Sequence, residues 1–133
     1  FRRVLFRSPT NDKGPGWLTE IVAGGLRAGE SPEEAIAREV REETGYEIEN
    51  LEHITTFYVS PGGTSERVLL YYGEVGEAGG RRAGEKLGIG DEQIERIEMS
   101  PADLWDSFRA GDLKDGKTIV ALLWLLLQGR GQV

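Results

Sequence analysis

Between Ser31 and Gly45 the chain spells one helix with both ends fixed, and no other segment limits the fold as tightly. Ser31-Pro32-Glu33-Glu34 supplies an N-cap, a proline at the first helical position, acids in the first turn and the capping-box spacing from Ser31 to Glu34. Gly45 closes the helix as its left-handed C-terminal residue. Helical projection puts Ile36 and Val40 on one stripe, which must be buried against a sheet. Glu39, Glu42 and Glu43 fall beside that stripe within an arc of roughly 100°, because residues three and four apart are helix neighbours. Glu33 and Glu34 suit the positive end of the helix dipole. Glu42 and Glu43 stand instead in the last turn, where the dipole disfavours anions, and Glu39 lies three and four residues from them. Arg38 and Arg41 are expected to project to another side of the helix and to leave the three carboxylates short of counter-charge. A bound divalent cation, which prefers oxygen ligands, and an ordinary acidic surface are both compatible with the helix alone.

At 133 residues the chain is the size of one domain, and 38% hydrophobic content is enough for a core. The absence of cysteine excludes a disulfide scaffold, a zinc ribbon and a thiol nucleophile, and fits a reducing compartment. A single histidine argues against a His-based zinc site. The net charge of −7 argues against broad binding to nucleic acid or anionic membrane. That charge is local, however: residues 30–52 hold nine acids and two arginines, and the remainder balances. A small anionic ligand bridged by metal cations stays compatible with it.

Residues 17–23, 51–59, 67–75 and 94–99 are expected as strands, and Ser100-Pro101 as the start of a helix ending at Gly111. Interleaved strands and helices favour an α/β or α+β sandwich over an all-β barrel. Residues 119–127 are the most apolar stretch, too short for a bilayer that needs about 20 residues, and are expected as a buried helix. Residues 76–93 hold six glycines without periodicity, which fits a functional loop or disorder equally. His53 reads as a structural or surface residue. Trp17, Trp105 and Trp124 read as core or interface anchors, with stacking on a base left open. The chain opens Phe1-Arg2-Arg3 without an initiator Met and is expected to be a single domain, residues 1–133, lacking upstream sequence.

The segment from Gly24 through Glu30 to Arg38-Glu39-Val40-Arg41-Glu42-Glu43-Thr44-Gly45-Tyr46 resembles the signature of the Nudix hydrolases at every fixed position. The last slot, usually aliphatic, holds Tyr46. The resemblance spans roughly residues 6–127 and implies an α+β fold, an α/β/α sandwich with a mixed sheet between helices. It also implies hydrolysis of a diphosphate linked to another moiety, with Mg²⁺ or alternatively Mn²⁺. Carried onto this chain, it puts metal binding on Glu39, Glu43, Glu42 and the Ala23 carbonyl. Arg38 would orient a carboxylate, Glu30 would brace the loop, and Gly24 and Gly45 would be structural.

Ser60-Pro61-Gly62-Gly63-Thr64-Ser65-Glu66-Arg67 is similar to the segment that follows the signature in bacterial ADP-ribose pyrophosphatases, with Pro61 in the place of a marker proline. Without the signature the same residues would read as a plain turn. The similarity implies substrate contacts at Pro61, Gly62, Ser65 and Arg67, and at Arg7 near the start. Residues 111–118 resemble the related GDP-mannose pyrophosphatases. Alignment of residues 90–94 points to Glu92 as the general base, with Asp91 and Glu85 as rivals, and Glu42 is a further catalytic candidate. The implied activity is conversion of ADP-ribose to AMP and ribose 5-phosphate. GDP-mannose or another nucleoside diphosphate sugar is the alternative substrate, and a non-catalytic nucleotide-binding module the alternative of another class. A cytoplasmic location, a homodimer of the full-length protein, and no nucleic-acid or membrane partner complete the expectation.

Overall fold

The helix written into residues 31–45 forms as α1, Pro32–Thr44, and its capping box closes in both directions. The Ser31 hydroxyl accepts the Glu34 N–H at 3.2 Å, and the Glu34 carboxylate accepts the Ser31 N–H at 2.9 Å. Gly45 takes the left-handed conformation at φ 76°, which a side chain would disfavour. The structure is a computed structural model that describes residues 3–9, 17–76 and 94–129, with side chains from residue 18 onward.

Among the described residues, five strands and two further helices accompany α1. Strands β1 (Arg3–Pro9), β2 (Trp17–Glu20) and β5 (Glu95–Met99) form an antiparallel sheet in the order β2-β1-β5. Strands β3 (Ile48–Tyr58) and β4 (Arg67–Val75) form an antiparallel hairpin, in register from Ile48↔Val75 to Tyr58↔Arg67 with two irregularities. Helix α2 (Pro101–Ala110) repeats the devices of α1, with Ser100 and Asp103 in a capping box and Gly111 at φ 79°. Helix α3 (Gly116–Leu127) is capped by Asp115. Helix α1 packs on β3, α2 packs on β5 and α3, and α3 packs on β4. The architecture is α+β, as the interleaving of strands and helices implies.

The core lies between α2, α3 and the three-stranded sheet. Leu104, Leu113 and Leu122 are buried there, with Ile21, Ile97, Met99, Trp105 and Phe108 packed around them. Trp105 stacks on Phe108 at 5.4 Å between ring centroids, and Trp124 lies against Tyr72 at 5.5 Å, so both serve as packing anchors. His53 is exposed and meets the Tyr71 ring edge-on. The side chain of Trp17 lies outside the described residues.

Two expectations need correction, and one strand was missed. The strand expected at 17–23 ends at Glu20, because the Ile21 N–H donates to Thr118 Oγ1 on α3 at 2.9 Å rather than to a neighbouring strand. Strand β1 is a strand that the sequence reading did not include; it pairs with the next strand, β2, and with the distant β5. Helix α3 is not buried all round: Leu122 and Leu125 are 2% and 0% exposed, whereas Leu123 and Leu127 are 42% and 85% exposed. Among the described residues, Leu123 and Leu127 face away from its partners α2 and β4.

Leu125→Ala should therefore cost about 2–5 kcal/mol, and Leu127→Ala less than about 0.5 kcal/mol. Urea unfolding of the two variants beside the parent chain measures both values.

Candidate active site

The loop between β2 and α1 is built to lie against the helix. Gly29 adopts φ 82°, and the Glu30 N–H returns to the Arg27 carbonyl at 3.1 Å, so the chain turns sharply before the cap. Glu30 then braces the turn from inside, its carboxylate accepting the Arg27 N–H at 3.0 Å. Further back, a Cβ on Gly24 would overlap the Glu39 carboxyl group, whereas one on Gly25 would meet nothing within 4 Å. Glycine at 24 is what lets the loop backbone and the Glu39 carboxylate share that space.

One guanidinium organises the rest. Arg38 donates to both Glu30 oxygens, from Nε at 2.8 Å and from Nη2 at 3.1 Å, and Nη2 also reaches the Gly25 carbonyl at 3.1 Å. Its Nη1 contacts Glu39 Oε1 at 2.6 Å and Glu42 Oε2 at 3.1 Å. Arg27 adds a contact to the other Glu42 oxygen at 3.5 Å. Arg38 therefore does not project away from the carboxylates, contrary to the expectation. Glu42 is its i+4 neighbour, and the five donors of a guanidinium on a long stem reach partners that a helical projection assigns to another side. Arg41 does turn elsewhere, pairing with Glu47 at 2.7 and 2.8 Å.

These contacts shift the titration of Glu30 and Arg38. The bond from Arg38, reinforced by the Arg27 N–H, holds the Glu30 carboxyl down to about 2, well below its ordinary 4.5. The Glu30 and Glu39 carboxylates in turn raise the Arg38 guanidinium far above its usual range. At the helix end the Thr44 hydroxyl accepts the Tyr46 N–H at 2.8 Å, Arg96 of β5 donates to the Thr44 carbonyl at 2.8 Å, and the Tyr46 hydroxyl donates to Glu98 at 2.9 Å. Arg96 also lies over the Tyr46 ring, 5.1 Å from its centre. Tyrosine in the usually aliphatic slot thus ties α1 to β5.

A model of the NUDIX domain matches residues 2–122. The chain belongs to the Nudix family. Among curated relatives it is 38% identical over 119 residues to a GDP-mannose pyrophosphatase of Cronobacter sakazakii, a match covering 90% of this chain and 61% of that protein. It is 39% identical over 126 residues to a GDP-mannose pyrophosphatase of Pectobacterium atrosepticum, covering 93% and 64%. The chain thus spans about three fifths of the length of the curated relatives it matches. The crystal structure of an ADP compounds hydrolase superposes with a TM-score of 0.78 at 20% identity, covering 99% of this chain and 69% of that one, and shows the same fold.

Against the Nudix signature, the structure brings Glu30, Glu39 and Glu42 together around the Arg38 guanidinium and sets Gly24 against Glu39. Ala23 precedes Gly24 on the exposed loop, and Glu43 lies half-buried in the next position after Glu42. Among the described residues no group of three or more His, Asp or Glu side chains is arranged to hold a metal ion. The donor set nevertheless suits a hard cation: carboxylate oxygens of Glu39 and Glu42 converge on a single cationic nitrogen, beside a backbone cradle that a Cβ would fill.

Pro61, Gly62 and Ser65 lie in the exposed turn joining β3 to β4, where the Ser60 carbonyl accepts the Gly63 and Thr64 N–H groups at 2.9 Å, and Arg67 begins β4. Tyr71 of β4 reaches Glu33 in the first turn of α1 at 2.9 Å, and the strand from His53 to Tyr58 carries the turn roughly 17 Å beyond that contact. Arg7 sits in β1, paired with Thr19 and Glu95, and its side chain lies outside the described residues. Glu92, Asp91 and Glu85 also lie outside them. A cavity of about 600 Å³ opens between Ile36 and Val40 of α1, Leu51 and Tyr72 of the hairpin, and Trp124 of α3. Its walls are mainly apolar and none of the three α1 glutamates lines it, so it is unsuited to a diphosphate.

Two connections escaped the sequence reading. The Arg96–Tyr46 latch had no local signal. The bond from Ile21 to Thr118 had a partial one, since Asp115 and Thr118 stand at capping-box spacing.

Gly24→Ala should weaken Mn²⁺ binding at least tenfold by displacing the Glu39 carboxylate, and Gly25→Ala should change it less than twofold, as read by calorimetric titration. Because the Glu30 carboxyl is depressed in the fold, its contribution to stability is complete above its ordinary value of 4.5 and is lost as pH falls through about 2. Unfolding free energies measured from pH 6 to 2 should fall less steeply for Glu30→Gln than for the parent.

Proposed function

We propose that this chain hydrolyses the diphosphate bond of a nucleoside diphosphate sugar in a divalent-cation-dependent reaction. The observation that carries the reading is the convergence of Glu39 and Glu42 beneath the Gly24 loop in a chain of the Nudix family. GDP-mannose is the first substrate of the proposal, supported by the relatives at 38% and 39% identity that bear the name GDP-mannose pyrophosphatase. ADP-ribose is the second, supported by Pro61 at the position of the marker proline.

Glu39, Glu42, Glu43 and the Ala23 carbonyl are proposed to hold Mg²⁺, with Mn²⁺ as a substitute. When bound, the cation would neutralise charge on the diphosphate and lower the pKa of a coordinated water. Arg38 holds Glu39 and Glu42 aimed at one point, and Glu30 keeps Arg38 in place. Glu92 is the proposed base for the attacking water. Attack at one phosphorus breaks its bond to the bridging oxygen, which leaves with the other phosphate. GDP-mannose would yield GMP and mannose 1-phosphate, and ADP-ribose AMP and ribose 5-phosphate. Arg7, Pro61, Gly62, Ser65 and Arg67 are proposed substrate contacts. The proposal extends to a cytoplasmic enzyme, in keeping with the cysteine-free composition, and to a homodimer of the full-length protein, supported by the family resemblance. No helix among the described residues is long and apolar enough to cross a membrane.

A panel of nucleotide sugars with and without Mg²⁺ tests the reading. GMP release from GDP-mannose only in the presence of metal is the expected result. Turnover of ADP-ribose with none of GDP-mannose would select the second substrate, and nucleotide binding without turnover of any member would select a binding module. Glu43→Gln and Glu92→Gln should each lower kcat at least 10²-fold, an order expected for loss of a catalytic acid–base group or of charge stabilisation. Full activity in Glu43→Gln would remove the metal assignment.

A further inference from the structure

We propose that Thr118, backed by Asp115, is a positioning residue for the loop that carries Ala23 and Gly24; the inference rests on the metal site proposed above. Strand β2 is held by β1 as far as Glu20, which pairs with Phe6. At the next residue the partner changes. The Ile21 N–H donates to Thr118 Oγ1 at 2.9 Å, across 97 positions of sequence. Ala23 follows two residues later, within roughly 7 Å of extended chain.

The Thr118 hydroxyl has its orientation imposed from behind. It donates to Asp115 Oδ2 at 2.6 Å, so its only proton is committed and a lone pair is left for the Ile21 N–H. Asp115 Oδ2 also accepts the Thr118 N–H at 2.9 Å, the ordinary N-cap bond. Capping α3 needs only that backbone bond, so the hydroxyl is surplus to the helix and serves the strand. Thr118 is 1% exposed and Asp115 9%, which excludes water as a ready substitute for either partner. Burial alone would raise the Asp115 carboxyl, but the Lys117 ammonium and the Thr118 donors outweigh it and hold the group below its ordinary value. Lys117 contacts the other Asp115 oxygen at 2.7 Å and reaches Glu20 at 3.4 Å. Two consecutive residues, Glu20 and Ile21, are thereby tied to the start of α3.

The loop is thus held from two sides. Helix α3 holds its beginning through Ile21, and Arg38 of α1 holds Gly25 and Glu30. Ala23 and Gly24 lie between these anchors. Removing the Thr118 anchor frees the side of the loop that the Glu39 carboxylate packs against.

The test compares the parent chain with Thr118→Val, which keeps the shape and loses the hydroxyl, and Thr118→Ser, which restores the hydroxyl. Three quantities are read: Mn²⁺ affinity by electron paramagnetic resonance with the metal alone, amide exchange of residues 21–25, and kcat and KM on the nucleotide sugar that the parent turns over. Thr118→Val is expected to weaken Mn²⁺ binding about tenfold, to speed exchange at 21–25 at least tenfold with residues 101–110 unchanged, and to lower kcat at least tenfold with KM within twofold. Thr118→Ser should recover each to within twofold. Unchanged Mn²⁺ affinity in a folded Thr118→Val, equal acceleration of exchange throughout the chain, or failure of Thr118→Ser to recover would overturn the proposal. If Thr118→Val does not fold, Lys117→Met, which cuts the half-exposed tie to Glu20, should weaken Mn²⁺ binding about threefold, and an unchanged value would overturn it. A parent chain that binds Mn²⁺ no better than Glu39→Gln would fail the functional reading itself, a result separate from any difference among the Thr118 variants.

Discussion

The Arg38 guanidinium joins the two parts of the site that must stay in register, the loop ahead of α1 and the carboxylates on it. Both Glu30 oxygens and the Gly25 carbonyl belong to the loop, and Glu39 and Glu42 belong to the helix. Isolated surface ion pairs contribute little, because water screens them and two long side chains must be ordered for one contact. This one differs in kind. The Arg38 and Glu30 side chains are only 15% and 14% exposed, and a single planar group satisfies four partners at once. Ordering one side chain therefore organises a loop and two carboxylates together.

That arrangement also explains how a helix tolerates Glu39 and Glu42 near its negative end. Arg38 and Arg27 supply counter-charge at Glu42, and Arg38 does so at Glu39. The cost of crowding these two carboxylates is offset inside the protein. The chain's net negative charge, concentrated in residues 30–52, is in this sense a property of one helix and its flanks.

Around this centre the fold acts as a frame. Tyr46, Arg96 and Glu98 tie the end of α1 to β5, while Thr118 ties the end of β2 to α3. The tertiary contacts therefore run from both sheets and from α3 toward the loop and helix. The apolar cavity behind α1 belongs to the packing between the helix and the hairpin and stands apart from the carboxylates.

The sequence by itself determined α1, its caps, the spacing of its carboxylates, the hairpin strands and the start of α2. Each depends on interactions within a few residues: a Ser that caps the helix beginning one residue later, a Gly that alone tolerates positive φ, and carboxylates brought together by the helical repeat. Tertiary structure alone decided that β2 stops at Glu20, that Arg38 rather than empty solvent meets Glu39 and Glu42, and that α3 buries Leu122 and Leu125 but exposes Leu123 and Leu127. The hydrogen bond that ends β2 spans 97 residues, and the exposure of α3 follows from which elements pack against it. No local periodicity encodes such pairings, because they are set by which surfaces meet once the chain has folded.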